Sequence, residues 1–438
     1  MKFTKTILVT AALAVTTCLS IANVSAGDVK ITKAEQVGMS SERLKRINTG
    51  MNKLIAEGKI PGAVTLVARR GKVVHFEASG LRDVERKLPM EKDTIFRLYS
   101  QSKPVTGAAV MILFEEGHFL LSDPVSKYLP EFSSMNVYVS GEGANAKTTR
   151  AQPITIHQLL THTSGLSYPI FPTPVGKMYV EKGVVVSEGE GHKFRNLQEW
   201  SERLVQVPLV AQPGSEWNYS AGMDVLGRLV EVISGKTFGE FLQERIFGPL
   251  SMVDTGFHVP KSKLDRFAAN YTPTPAGGMQ LIDDPKSSSY SRKPVLEMGG
   301  SGLVGTVGDY LKFAQMLGNK GEYAGVRILG KKTVEFMTSN HLTPNFPDDP
   351  LTSIYTLQGK GRAWGMGFGL TGSVVTNPAI AGLPVSKGTY SWGGAATTHF
   401  WVDHEEELVG LVHTQLLPDG TYPVIQLMQL LTYQAIED

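Results

Sequence analysis

Arg97-Leu98-Tyr99-Ser100-Gln101-Ser102-Lys103-Pro104 sets a serine three residues ahead of a lysine, just where an apolar helical pattern begins and runs on to Glu116. Ser100 is the only serine in the chain with a lysine at that spacing. Positions i and i+3 lie about 60° apart around a helix, so the Lys103 amine can reach the Ser100 hydroxyl. A serine hydroxyl is a poor nucleophile until a base takes its proton. Lysine is such a base only where burial or a nearby cation favours its neutral amine. The free N–H groups of a helix start also favour negative charge developing nearby. Taken alone, the pair reads as a helix cap beside a solvated lysine.

Two further stretches give the pair company. Glu216-Trp217-Asn218-Tyr219-Ser220-Ala221 precedes another apolar helix, Ser220 to Ser234, and offers Tyr219 as a second proton carrier. Ser391-Trp392-Gly393-Gly394-Ala395 runs into a strand, and two glycines there let a ligand approach the backbone closely. An N–H at that place can bind the oxygen of a tetrahedral intermediate. Singly, these read as a half-buried tyrosine and a β-bulge.

The rest of the chain supplies the frame. Leu44, Ile47, Met51, Leu54 and Ile55 give the segment Ser41 to Glu57 one apolar helical face, which Pro61-Gly62 ends. Ala63 to Ala68 and Val73 to Ala78 read as a hairpin turned at Arg70-Gly71-Lys72. His399 to Val402 and Leu408 to His413 read as a second antiparallel pair, and Tyr422 to Ile436 as a terminal helix. Between these ends the pattern is mostly helical, with Ile156 to Leu160, Phe238 to Phe247 and Val307 to Leu317 as further helices. The simplest assembly is an α/β (α+β) fold: one antiparallel sheet built from both chain ends, flanked by terminal helices, with a mainly helical domain inserted. The expected divisions are residues 27–104 and 295–438 for the sheet domain and 105–294 for the helical domain. Residues 168–192 and 340–360 are expected to be loops.

At 438 residues, with 42% hydrophobic and 19% charged side chains, the chain is long enough for a thick core and is not of disordered or fibrous composition. Lys2 and Lys5, the apolar run Ile7 to Leu19 and the small residues Val24-Ser25-Ala26 read as a signal peptide, residues 1–26, cut after Ala26. Without it, acidic and basic side chains balance at 41 each, so no basic field exists for nucleic acid. No second apolar run is long enough to span a membrane. Cys18, the single cysteine, lies inside the signal, which removes disulfides, thiolate catalysis and cysteine-bound zinc from the mature chain. A secreted or periplasmic protein is expected. His157 and His162 have no glutamate in a His-Glu-x-x-His frame and read as structural, as do His399 and His404. Neither a Gly-x-Ser-x-Gly elbow nor a phosphate-binding loop occurs.

The order Ser100-x-x-Lys103, Tyr219-Ser220-Ala221, Trp392-Gly393-Gly394 resembles the serine β-lactamase and penicillin-binding-protein superfamily, and within it the class C β-lactamase-related esterases, family VIII carboxylesterases. Ile154 to Leu166 (ITIHQLLTHTSGL) and Gly299-Gly300-Ser301-Gly302-Leu303 are similar to connecting signatures of that family, and the likeness extends over residues 38–437. It implies Ser100 as the acylated nucleophile, with Lys103 and Tyr219 in proton transfer. It implies oxyanion N–H groups from Ser100 and Ala395, and substrate contacts from Trp392, Gly393 and Gly394. No metal or other cofactor is implied, and the partner is a small-molecule ester. Two departures stand out. Ala221 replaces the asparagine of the lactamase Tyr-x-Asn, and Trp392 replaces the lysine of Lys-Thr-Gly. Both weaken recognition of an anionic amide and suit a neutral ester, so a serine carboxylesterase is expected. A β-lactamase or D-amino-acid peptidase, an acyltransferase and a non-catalytic penicillin-binding-like module are the alternatives. The aromatics and prolines of Tyr168 to Pro174 are available to line an acyl pocket.

Overall fold

A computed structural model describes residues 29–142, 145–184, 193–342 and 365–438. The signal segment and most of the 340–360 stretch lie outside the described residues. The elements used below are helices α1 (Ser41–Ala56), α2 (Lys103–Glu115), α3 (Gly222–Ser234), α4 (Val307–Gly318) and α5 (Val424–Tyr433). The strands are β1 (Gly62–Arg69), β2 (Lys72–Asp83), β3 (Leu88–Pro89), β4 (Met366–Phe368), β5 (Ser373–Val375), β6 (Tyr390–Gly394), β7 (Thr398–Asp403) and β8 (Leu408–His413).

These strands make one sheet in the order β4-β5-β6-β7-β8-β1-β2-β3, antiparallel at every junction. Its centre is where the two chain ends meet, β1 lying against β8 with Val64 opposite His413. All residues of β1, β7 and β8 are buried, as strands covered on both faces must be. The β1–β2 turn passes through Arg70 (φ 51°) and Gly71 (φ 72°), the pair of positive φ angles that a tight hairpin uses.

Ser40 caps α1 by accepting from the Arg43 N–H, and the buried stripe Leu44, Ile47, Met51 and Leu54 packs with α5 over Val67, Trp401 and Val412 of the sheet. On the other face, Leu66, Phe400 and Leu411 meet Phe313 of α4 and the residues of α2, which is buried on nearly every side. Two small ribbons, Asn136–Ser140 with Lys147–Arg150 and Asn270–Pro273 with Met279–Asp283, lie within the segment expected to be mainly helical.

The loop expected over 168–192 contains a helix, Pro174–Glu181. Thr173 caps it by accepting from the Gly176 N–H, Pro174 takes the first turn, and Val175 and Tyr179 are buried one turn apart. Gly176 reads as a breaker but answers to a close approach: a Cβ there would lie 2.0 Å from the Phe171 carbonyl oxygen. Residues 185–192 lie outside the described residues. The helix expected from Phe238 to Phe247 is α-helical only to Leu242 and closes in a π-turn, Gln243–Phe247. Among the described residues no helix is long and apolar enough to cross a membrane.

Candidate active site

Ser100 sits in a single 3-10 turn, Tyr99–Ser102, that feeds directly into α2. Tyr99, the residue before it, has φ of +45°, a strained conformation for a bulky side chain. It is held there by Asn270, whose Nδ2 donates to the Tyr99 hydroxyl at 3.1 Å, and by an edge contact with Tyr290. Ser100 itself remains half-buried and reachable.

Lys103 begins α2 and is buried. Its Nζ lies 3.1 Å from Ser100 Oγ and donates to the Gly300 carbonyl at 2.7 Å. It also stands 4.6 Å from the centre of the Tyr219 ring and 5.5 Å from that of Tyr168. Burial pushes the Lys103 amine down to about 7, with the Asp224 carboxylate pulling the other way. Burial therefore favours the neutral amine over the ammonium.

Tyr219 lies just before α3 and donates from its hydroxyl to Ser100 Oγ at 2.6 Å. Burial pushes its phenol up, so it rests as the protonated phenol. Ser100 Oγ thus lies within hydrogen-bond reach of both the Lys103 amine and the Tyr219 hydroxyl. His162, read as structural from the sequence, is wholly buried with Nδ1 3.0 Å from Ser220 Oγ and its ring 4.8 Å from that of Tyr219. It packs behind the Tyr219 ring.

Trp392, Gly393 and Gly394 end β6. Pairing with β5 stops at Ser391, opposite Ser373, so these three residues present a strand edge that β5 does not cover. The edge abuts the nucleophile turn: a Cβ on Gly394 would lie 2.1 Å from the Leu98 carbonyl oxygen. Ala395 follows, exposed, with its carbonyl accepting from the Asp419 N–H at 2.7 Å. Trp392 packs edge-on against Phe368, with ring centres 5.3 Å apart, and 5.9 Å from Tyr219. Trp217 stacks on Tyr219 and meets Phe368, closing an aromatic wall beside Ser100. Tyr168 joins it, its ring 5.1 Å from that of Tyr219, while Ile170 is exposed.

Other residues fall elsewhere. Ala221 is wholly buried at the head of α3. His399 shares the face of β7 with Trp401, which packs under α1 and α5, and pairs with Asp419 at 2.8 Å. His157 faces His341 at 3.1 Å, and His404 lies 3.4 Å from Thr338 Oγ1. A groove of about 840 Å³ lined by Phe247, Phe257, Lys263 and Lys293 contains none of the site residues.

Sequence reasoning missed Asp224. It is buried on the first turn of α3, accepts from the Gly300 N–H at 2.7 Å, and is pushed up to about 6 by burial. Its signal was present: a charged residue on a helix stripe otherwise filled by apolar side chains.

The Beta-lactamase family profile matches residues 46–431. Protein Rv1367c of Mycobacterium tuberculosis is 35% identical over 367 residues, covering 83% of this chain and 87% of that protein. Esterase EstB of Burkholderia gladioli is 31% identical over 394 residues, 86% of this chain and 91% of its own. Among solved structures, EstCE1, described as a hydrolase with promiscuous acyltransferase activity, superposes with a TM-score of 0.74 at 28% identity, covering 90% of this chain and 99% of its own. With its serine, lysine and tyrosine brought together at the junction of α2, α3 and β6, the chain belongs to the Beta-lactamase family.

Proposed function

We propose that this protein is a serine carboxylesterase that works through an acyl-enzyme on Ser100. The observation that carries the reading is the pair of contacts on one oxygen: Ser100 Oγ lies 3.1 Å from a buried lysine amine and 2.6 Å from a phenol hydroxyl. The neutral Lys103 amine accepts the Ser100 proton as Oγ attacks the ester carbonyl. The N–H groups of Ser100 and Ala395 hold the oxyanion. Tyr219 gives its proton to the departing alkoxide, and the Lys103 ammonium restores it. Water then attacks the acyl-enzyme, Lys103 taking its proton and returning it to Ser100 Oγ as the acid leaves.

The aromatic wall of Trp217, Tyr219, Phe368 and Trp392 supports a neutral, apolar acyl group over an anionic amide. Esters also carry better leaving groups than amides, so the absence of an asparagine at Ala221 costs them less. EstB is named an esterase, which favours the same activity. Acyl transfer to an alcohol is the second reading, favoured by the likeness to EstCE1, and uses the same acyl-enzyme. Export of the mature chain from Gly27 is part of the proposal.

The test compares a short-chain nitrophenyl ester with a chromogenic cephalosporin, using Ser100→Ala as control. Ester turnover well above lactam turnover, lost in the variant, supports the reading. Dominant lactam turnover overturns the esterase assignment. Adding a primary alcohol and measuring the ratio of new ester to free acid separates hydrolysis from transfer.

A further inference from the structure

Asp224 and Lys103 are joined through one peptide unit and its neighbour. Asp224 Oδ1 accepts from the Gly300 N–H at 2.7 Å, and the carbonyl of the same residue accepts from Lys103 Nζ at 2.7 Å. A Cβ at Gly300 would lie 2.9 Å from both Asp224 Oδ2 and the Tyr168 hydroxyl, so glycine is what allows this crowding. Gly299 is held as closely, since a Cβ there would lie 2.5 Å from the Met223 carbonyl oxygen. Thr106 of α2 adds a hydrogen bond to the Gly299 carbonyl at 2.7 Å. The Gly299-Gly300 backbone is thereby clamped between α2 and α3, with its carbonyl aimed at the lysine.

Among the described residues, the other titratable groups around this pair are Tyr168 and Tyr219, phenols that burial keeps protonated, and His162, which burial and Lys103 keep neutral. None brings a formal charge at neutral pH. Asp224 is therefore the charge that the Lys103 ammonium meets.

We propose that Asp224 is a positioning residue of the acyl-enzyme cycle: it anchors the Gly300 peptide that aims Lys103 at Ser100, and its charge sets the pH at which that amine becomes a base. The proposal rests on the reading of Ser100 as nucleophile and Lys103 as base. Two substitutions separate the two roles. Asp224→Asn keeps an acceptor for the Gly300 N–H and removes the charge, whereas Asp224→Ala removes both. Losing a buried counter-charge lowers an amine's proton affinity, so the neutral amine persists to lower pH.

The experiment measures the rate at which a fluorophosphonate labels Ser100, read by intact mass between pH 4.5 and 9. Wild type, Asp224→Asn, Asp224→Ala and Ser100→Ala are compared. In Asp224→Asn the midpoint of the acid limb moves down by about one pH unit or more. In Asp224→Ala it moves likewise, and the plateau rate also falls by about 10-fold or more, because the peptide that aims the lysine is loose. A side chain that merely filled space would change melting temperature and leave the midpoint alone. Should Asp224→Asn fail to fold, Asp224→Ser, smaller and still an acceptor, takes its place with the same expected shift. Midpoints matching wild type in the folded variants overturn the inference while leaving the esterase reading intact. Absence of Ser100 labelling in wild type at every pH overturns the esterase reading and this inference with it.

Discussion

Gly394→Ala tests whether the junction between β6 and the nucleophile turn shapes the oxyanion site. Gly394 is not among the residues with left-handed backbone, so alanine is conformationally acceptable there and any effect comes from space. The new Cβ would lie 2.1 Å from the Leu98 carbonyl oxygen and 2.5 Å from Thr398 Oγ1. Neither obstacle can swing away freely: one is backbone, and Thr398 Oγ1 is itself bonded to the Leu98 carbonyl at 3.3 Å. An ordinary carbon–oxygen contact is about 3.3 Å, so strand and turn must separate by roughly 1 Å. The proposed donors, the N–H groups of Ser100 and Ala395, lie on opposite sides of that gap. A misplacement of about 1 Å lowers turnover by roughly 10²-fold, similar to losing one oxyanion donor. Overpacking also costs about 1–3 kcal/mol, seen as a melting point lower by a few degrees. Steady-state kinetics on a nitrophenyl ester should therefore show kcat falling about 10²-fold with KM much less affected. A folded Gly394→Ala enzyme with kcat within about twofold of wild type would refute this account of the oxyanion site.

Tyr219→Phe removes a hydroxyl 2.6 Å from Ser100 Oγ and should lower kcat by roughly 10²–10⁴-fold on alkyl esters. Nitrophenyl esters, whose leaving group needs no proton, should lose distinctly less, and comparing the two series checks the donor role. Acylation should rise with pH as Lys103 loses its proton at about 7, measured as pre-steady-state burst rates against pH. A rate independent of pH from 5 to 9 would contradict Lys103 as base. His413 lies wholly buried in β8 and burial pushes it down to about 3, below its unfolded value of about 6.5. The unfolded chain binds the proton first, so stability is full above about pH 6.5 and is lost as pH falls toward 3. By pH 4.5 the loss from this residue is about 2–3 kcal/mol. His413→Phe should flatten that slope in urea denaturation at pH 7 and pH 4.5.

The contact between Ser100 and Lys103 was legible because it is local: a serine and a lysine three apart on a helix start meet whatever the rest of the chain does. The sheet was legible in outline because β1, β2, β7 and β8 carry strong apolar runs broken by turn residues, and β1 with β2 and β7 with β8 are neighbours close in sequence. What periodicity cannot give is which elements touch. Gly300 sat in plain view within a glycine-rich stretch, yet its task depends on α2 and α3 closing on it from both sides. Asp224 was hidden for the same reason, its partner lying 76 residues away. Pro174–Glu181 departs from the expected loop because here the proline opens a helix and the glycine makes room for a neighbouring carbonyl. His399 and Trp392 are close in sequence, but strand alternation puts them on opposite faces of the sheet.

The most direct test of the central claim is to trap the covalent intermediate. The protein is mixed with a nitrophenyl ester, quenched in acid within milliseconds, and examined by intact mass and peptide mapping. An added mass equal to the acyl group on the peptide containing Ser100, absent from Ser100→Ala, is the predicted result. Turnover that persists in Ser100→Ala, or an acyl group on a different residue, would contradict it.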